Sequence, residues 1–172
     1  MNGTKSNYGR GKFFPYIRKA WYPLAQATAK QFKNLFGATC KKVMVYGCAR
    51  GYLVEALNKV GFQTVGVDIS EWAVKHASKN ARKYVAQGDI TEPSQWQNNQ
   101  FDLLVAQDVL EHVPELLIPQ MLDELTRITG KFAFVEVIVE DKVGDDASHV
   151  SANFPTEKWI EWFTQRGWLL LD

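Results

Sequence analysis

The sequence predicts an α/β fold, a doubly wound and mainly parallel sheet with helices on both faces. Short apolar runs alternate along the chain with segments of helical periodicity, and glycines follow the helical segments, as at Gly37, Gly61 and Gly130. Several apolar runs are continuous, which is typical of strands buried on both faces by helices.

The predicted elements alternate regularly between strands and helices. The predicted strands are 42–46, 63–67, 83–86, 101–106, 132–139 and 168–171. The predicted helices are 22–36, 52–60, 70–82, 114–129 and 156–166. A turn at 47–51 and a long polar loop at 140–154 complete the order, so each strand is followed by a crossover suited to a parallel sheet.

Helical spacing also predicts which side chains are buried. Pro23 suits a first-turn position of the first helix, and Ser70 can cap the third. The predicted buried stripes are Leu24, Phe32, Leu35 and Phe36 in the first helix, Leu116, Leu117, Met121, Leu122, Leu125 and Ile128 in the fourth, and Trp159, Trp162 and Phe163 in the last.

The length and composition indicate one globular unit. The 172 residues are divided into a basic segment with a helix, 1–41, and the α/β domain, 42–172. No apolar run of about 18 residues predicts a membrane span, and the N-terminus lacks the apolar run of a secretory signal. Two cysteines, Cys40 and Cys48, are too few for a disulfide framework or a structural zinc site, so we expect a cytoplasmic protein.

The net charge of +1 conceals an asymmetry between the two parts of the chain. No acidic residue precedes Glu55, whereas ten basic residues do, and the remainder has ten basic against nineteen acidic residues. A solvated basic surface is one interpretation. The other is that an anionic substrate or nucleic acid meets this end of the protein.

Ligands of doubly wound sheets bind beyond the carboxyl ends of the strands. The glycine turn 47–51 follows the first strand and precedes a helix, and Asp68 ends the second strand twenty-one residues after Gly47. A carboxylate at Asp68 can accept both hydroxyls of a ribose, and Asp89, after the third strand, can accept an adenine amino group. These positions predict a pocket for an adenosine-containing cofactor.

The turn does not match the phosphate-binding motifs. A dinucleotide fingerprint needs G-x-G-x-x-G, but the second and third glycines are replaced by Ala49 and Tyr52. No Gly-Lys-Ser/Thr of a P-loop follows. A cofactor without phosphates therefore fits better.

Four segments in order resemble the motifs of the Rossmann-like (class I) S-adenosylmethionine-dependent methyltransferases. They are VMVYGCARG at 43–51, VGVDIS at 65–70, QGDI at 87–90 and FDLLVAQDVLEHV at 101–113. The resemblance covers about 42–139 and implies a Rossmann-like methyltransferase fold with S-adenosyl-L-methionine as cofactor. In the family a further antiparallel strand follows the one predicted at 168–171, so the resemblance implies a C-terminal strand pair that is shortened or truncated in this sequence.

Carried over by position, the resemblance implies a set of cofactor-binding residues. Asp68 would bind the ribose hydroxyls, Ile69 would pack on adenine, and Gln107 and Asp108 would line the methionine side. The full set is Gly47, Cys48, Ala49, Gly51, Asp68, Ile69, Asp89, Ile90, Gln107, Asp108 and His112. One departure is Val45, which stands where the family has a carboxylate for the cofactor's amino group, and Asp108 is a candidate substitute.

The candidates for the methyl acceptor's side are few. His149, in the loop predicted to overhang the pocket, is the candidate general base. Tyr16, Trp21 and Tyr22 are candidates for an aromatic lid over the substrate pocket, although core packing explains them equally well. No metal site is predicted.

The acceptor class stays open at the level of sequence. A small molecule is the first expectation, because 107–110 lacks the Asn/Asp-Pro-Pro-aromatic motif of exocyclic-amine DNA methyltransferases and neither cysteine follows a proline. RNA or another polyanion is the second, on the basic N-terminal segment. A non-catalytic S-adenosylmethionine-binding module and an NAD-dependent oxidoreductase are the remaining alternatives.

Overall fold

The computed structural model describes residues 17–139, 148–151 and 154–171. Its strands are β1 (Lys42–Tyr46), β2 (Gln63–Asp68), β3 (Val85–Gln87), β4 (Phe101–Gln107) and β5 (Thr129–Glu136). Its α-helices are α1 (Arg18–Phe36), α2 (Tyr52–Lys59), α3 (Glu71–Lys75), α4 (Ile118–Ile128) and α5 (Thr156–Thr164). Short 3₁₀ helices lie at Arg82–Tyr84, Leu110–His112 and Glu115–Leu117.

The five strands form one sheet in the order β3-β2-β1-β4-β5, and every neighbouring pair is parallel. The predicted doubly wound α/β fold is therefore confirmed. The strand order reverses between β1 and β4, and such a switch point opens a crevice at the carboxyl edge of the sheet.

Alternate residues of the central strands feed two cores, one on each face of the sheet. In β1, Val43 and Val45 join Phe32 of α1 and Leu57 of α2. Met44 and Tyr46 point the other way and join the core formed with α4 and α5. Of the helices in the described part of the chain, none combines the length and apolar character that crossing a bilayer requires.

Helix α1 begins at Arg18, four residues before the predicted start, so Pro23 lies inside the helix. Its buried face contains Ala29 and Phe32, with Tyr22, Ala25 and Phe36 partly buried beside them. The prediction that Leu24 and Leu35 are buried was wrong, since they are 60% and 70% exposed. Each is one position away from the buried row, and one position rotates a side chain by about 100°.

A buried glutamate fastens α1 to the domain. The Glu55 carboxylate, 6% exposed, receives two hydrogen bonds from the Arg18 guanidinium at 2.6 and 2.7 Å. Ser78 Oγ and Asn80 Nδ2 donate to it at 2.6 and 2.9 Å. These donors, chiefly Arg18, lower the pKa of Glu55 to about 2. The division of the chain at residue 42 stays a prediction.

The helix predicted over 70–82 is much shorter. Ser70 does cap it, accepting a hydrogen bond from Ala73 N at 3.1 Å, but the helix ends at Lys75. Arg50 takes over the next backbone groups: its carbonyl accepts from Ser78 N and its Nε donates to the His76 carbonyl, both at 2.9 Å. Tertiary hydrogen bonds therefore replace the helical ones that the pattern predicted.

The C-terminal part departs from prediction in three places. Leu116 and Leu117 precede α4 and are 91% and 37% exposed, so they do not belong to its buried stripe. Strand β5 begins and ends three residues earlier than the predicted 132–139. The segment 168–171 forms no strand, because Trp168 Nε1 donates to Thr126 Oγ1 on α4 at 2.9 Å and holds the chain against that helix. The burial of Trp159, by contrast, was predicted correctly.

Candidate functional site

A cavity of about 420 Å³ opens at the switch point of the sheet. Its walls are the carboxyl ends of β1, β2 and β4, the segment 88–91 after β3, and one side of α1. Volumes of this size are typical of sites for small ligands and cofactors.

Most of the residues predicted for the site line this one cavity. They are Trp21, Gly47, Cys48, Ala49, Asp68, Ile69, Asp89, Ile90, Gln107, Asp108 and His112. Gly51, Tyr22 and His149 are not among its lining residues, and Tyr16 lies outside the described residues. The predicted residues at the strand ends therefore lie around one cavity, as the topology requires. The binding roles of these residues stay predictions.

The glycines of the turn 47–51 are required by the protein's own conformation and packing. Both Gly47 and Gly51 have positive φ, at +64° and +71°. A Cβ on Gly47 would lie 2.1 Å from Val109 Cγ2, and one on Gly51 would lie 2.7 Å from Ala81 Cβ. Both positions therefore require glycine whether or not a ligand is bound.

Ala49 also has a positive φ, 46°, although it carries a side chain. Its amide donates to Asp68 Oδ2 at 2.7 Å, and the Ser70 amide donates to Oδ1 at 2.8 Å. Asp68 is 5% exposed, and burial raises its pKa despite these two bonds. The carboxylate thus joins the turn to the end of β2 while facing the cavity, and each oxygen retains a second lone pair.

The other polar residues of the cavity are held in place by neighbours. Asp89 Oδ1 accepts hydrogen bonds from the Thr91 amide and hydroxyl at 3.0 and 2.7 Å. Gln107 Nε2 donates to Glu136 Oε2 at 2.9 Å, across β4 and β5. Asp108 has φ 52°, and burial and then Glu136 raise its pKa. Two non-glycine residues of the wall, Ala49 and Asp108, therefore have strained backbones, a feature that clusters at functional sites.

Cys48 and Val45 contribute apolar surface to the cavity. Cys48 is 6% exposed, and burial raises the pKa of its thiol well above the usual value, which disfavours the thiolate that a nucleophile requires. Val45 is 4% exposed and lines the wall where the family has a carboxylate. The cavity is therefore neutral at this point.

Of the aromatic residues on α1, Trp21 lines the cavity and Tyr22 does not. The Tyr22 ring packs edge-on against Tyr52 at 6.4 Å between centroids, and the Arg18 guanidinium lies 3.8 Å from its centre. Adjacent helical residues point about 100° apart, so both could not face one pocket.

A cluster of titratable groups lies beside the cavity, after β4. His112 Nδ1 lies 2.9 Å from the Ser148 carbonyl oxygen, and the His112 and His149 rings are 4.8 Å apart between centroids. Glu111 is fully buried beside them, and burial, together with the negative charge of Asp108, raises its pKa to about 7. In the sequence, Glu111 is distinguished only by its place in the segment 101–113.

Several lining residues were missed by the sequence analysis. The wall formed by α1 includes Leu24, Ala25 and Thr28, and the opposite side includes Pro114 and Leu117. Leu24 and Leu117 had been assigned to the core on helical spacing. Spacing alone does not separate an apolar residue that faces a core from one that faces a cavity.

The fold and the cavity define a class, an α/β domain that binds a cofactor at the carboxyl edge of a parallel sheet. The model of the methyltransferase domain family matches residues 44–133, a little over half of the chain. The chain belongs to this family, and it has the Rossmann-like fold of S-adenosylmethionine-dependent methyltransferases.

Individual relatives agree with the family. The ribosomal protein L11 methyltransferase of Cupriavidus pinatubonensis is 30% identical over 131 residues, 75% of this chain and 42% of the relative. The ubiquinone biosynthesis O-methyltransferase of Idiomarina loihiensis is 37% identical over 87 residues, 48% of this chain and 35% of the relative. The chain thus spans less than half the length of these relatives.

Solved structures agree with the fold. A SAM-dependent methyltransferase from Archaeoglobus fulgidus is similar with a TM-score of 0.73 and 19% identity, over 90% of this chain and 73% of the other. At this level of identity the similarity concerns the fold.

Proposed function

We propose that this chain is an S-adenosylmethionine-dependent methyltransferase that acts on a small-molecule acceptor. The observation that carries the proposal is the cavity at the switch point, which is lined by the turn 47–51 and by the carboxylates that end or follow β2 and β3. The family match supports the same activity.

The cavity residues suit the parts of the cofactor. Asp68 would accept the ribose hydroxyls on its remaining lone pairs, and Ile69 and Ile90 would pack against adenine near Asp89. Gln107 and Asp108 would line the methionine side, where Val45 supplies no charge. Asp108 is then the carboxylate available for the cofactor's amino group.

The chain's own residues contribute orientation and exclusion of water. The sulfonium of the cofactor supplies an already activated methyl group. Trp21 and Leu24 on α1 and Leu117 across the cavity would cover the acceptor with apolar surface and align it. His149 is the proposed base for an acceptor that must lose a proton, by way of His112, which lines the cavity.

The small-molecule class rests on two observations. The relatives include ubiquinone biosynthesis O-methyltransferases, whose name specifies a small-molecule pathway. The cavity itself is lined mainly by apolar side chains, which suits a small organic acceptor.

RNA or another polyanion is the second candidate, and one observation favours it. Helix α1 forms part of the cavity wall and exposes Lys19, Lys30 and Lys33 in a segment without acidic residues. The relationship to ribosomal protein L11 methyltransferases adds a protein as a third acceptor class. The family match argues against the NAD-dependent oxidoreductase, and a non-catalytic S-adenosylmethionine-binding module is the alternative that the test below addresses.

Transfer of a labelled methyl group tests the proposal. The chain and S-adenosylmethionine carrying a tritiated methyl group are incubated with panels of phenols, amines and carboxylic acids and, separately, with total RNA and with ribosomal proteins. We expect label in a small-molecule acceptor and none with heat-denatured chain. Label in RNA or protein alone would replace the acceptor class. Binding of S-adenosylhomocysteine without any transfer would identify a module, and binding of NAD alone would overturn the proposal.

A further inference from the structure

Three side chains with possible metal-ligand atoms converge at the edge of the proposed cofactor site. Glu111, His112 and His149 each offer one possible metal-ligand atom, and these three atoms lie within 4.8 Å of one another. Two of the residues come from the 3₁₀ helix after β4 and the third from the segment 148–151, so the fold brings them together. His112 also lines the cavity.

Glu111 has the surroundings of an unfilled ligand site. Its side chain is fully buried, and neither carboxylate oxygen accepts a hydrogen bond of normal geometry from a described residue. The backbone amides of Glu111 and Ile138 lie near the carboxylate and only partly oppose the rise in its pKa. Leaving a buried polar group unpaired is costly, and buried charges are normally paired or bound to a metal. A bound cation would compensate for the burial of this carboxylate.

His112 is oriented as metal-binding histidines usually are. The Ser148 carbonyl can only accept, so His112 Nδ1 carries a proton, and Nε2 is the ring atom that a metal ion would bind. A backbone carbonyl in this role fixes the tautomer of many metal-bound histidines. The His149 ring lies tilted by 49° against it, with 4.8 Å between centroids.

We propose that Glu111, His112 and His149 bind a divalent transition-metal ion, with Zn²⁺ as the best match. Two imidazoles and one carboxylate suit Zn²⁺, which commonly takes three protein ligands and one further ligand, whereas Mg²⁺ and Ca²⁺ prefer oxygen ligands alone. Bond lengths near 2.1 Å would require the three atoms to approach one another by roughly 1 Å. Asp108 adds negative charge beside Glu111, which favours a cation at this place. When a metal is bound, His149 is a ligand, so its proposed role as a base applies to the metal-free chain.

Titration with Co²⁺ and Zn²⁺ tests this site in the full chain. Co²⁺ gives visible absorption whose intensity reports tetrahedral coordination. We expect one equivalent of Co²⁺ to bind, to be displaced by Zn²⁺, and to raise the melting temperature. The variants are Glu111→Gln and His149→Asn, and each should weaken binding by about tenfold or more.

His76→Asn is the matched control, because His76 is exposed and stacks on Trp72 away from the cluster. It should bind Co²⁺ like the parent chain. Far-ultraviolet circular dichroism checks folding, and His149→Asn, at a partly exposed position, keeps the test informative should Glu111→Gln misfold.

Equal loss in the control, unchanged binding in both cluster variants, or no stoichiometric binding would each overturn the proposal. Calorimetry with S-adenosylhomocysteine runs in parallel. Binding of that ligand without Co²⁺ binding would reject the metal site alone, and the reverse result would reject the proposed function alone.

Discussion

Two regions of this domain surround a buried glutamate in opposite ways. Glu55, beneath α1, receives hydrogen bonds from Arg18, Ser78 and Asn80, and its pKa falls to about 2. Glu111, after β4, accepts no hydrogen bond of normal geometry from a described residue, and burial raises its pKa to about 7.

The comparison distinguishes a buried carboxylate that stabilises the fold from one that is available to bind a ligand. At Glu55 the surrounding donors compensate for burial, so the carboxylate fastens α1 over the domain. At Glu111 no set of donors compensates for the cost of burying the carboxylate. Such a cost is expected at a site that binds a ligand. The three predictions that follow test this contrast from its largest expected effect to its smallest.

Glu55→Gln should have the largest effect on stability, a loss of about 3 kcal/mol in the free energy of unfolding. The amide would present donors to the Arg18 guanidinium and leave part of a buried network unpaired. Urea denaturation at pH 7 measures this. The lowered pKa of Glu55 stabilises the fold at pH values above about 4.5, and this stabilisation is lost as the pH falls toward 2. The variant should therefore lose part of the parent's sensitivity to acid.

Glu71→Gln is the control for that variant. Glu71 is 62% exposed and pairs with Lys75 on one turn of α3 at 2.6 Å. An exposed pair of this kind contributes less than about 0.5 kcal/mol. Equal losses in the two variants would show that Glu55 does not fasten the helix.

Glu111→Gln should stabilise the metal-free chain at pH 8 by about 2 kcal/mol, the opposite sign to Glu55→Gln. A raised pKa means that the folded state holds its proton longer, so the parent loses stability as pH rises from about 4.5 through about 7. The glutamine has no such loss. Urea denaturation with EDTA at pH 5 and pH 8 should show a gain only at pH 8, and a gain of the same size at both would contradict the account.

Asp108→Asn should have the smallest effect. The pH midpoint at which the chain loses stability through ionisation of Glu111 should fall by roughly a few tenths of a pH unit. Asp108 raises the pKa of Glu111, so removing its charge eases ionisation of the buried carboxyl. Asparagine tolerates the positive φ at this position, so the backbone is preserved. Following unfolding against pH measures the shift, and an unchanged or upward midpoint would exclude this coupling.

The sheet could be predicted from sequence because its signals are local. The continuous apolar run of β4 and the glycine turn after β1 depend on neighbouring residues alone, and the predicted strands 42–46 and 101–106 agree with the structure within a residue. The wrongly predicted elements lie where long-range hydrogen bonds determine the backbone conformation. Arg50 ends α3 early, and Trp168 holds the C-terminal segment on α4.

The candidate site was predictable at the strand ends and not elsewhere. Topology alone brings Asp68, Asp89 and Asp108 to one edge of the sheet. The wall formed by α1 depends on the rotation of that helix about its axis. This rotation determines that Trp21 lines the cavity and Tyr22 does not. The burial of Glu111 depends on the 148–151 segment, thirty-seven or more residues further along the chain, and no local pattern announces it.

Calorimetric titration with S-adenosylhomocysteine tests the central claim most directly. The parent chain and the Asp123→Asn control, at an exposed residue of α4, should bind one equivalent with the same affinity. Asp68→Asn should bind about tenfold or more weakly, since the charge that accepts the ribose hydroxyls is lost. Equal affinity in a folded Asp68→Asn, or no binding by the parent chain, would contradict the assignment of this cavity to S-adenosylmethionine.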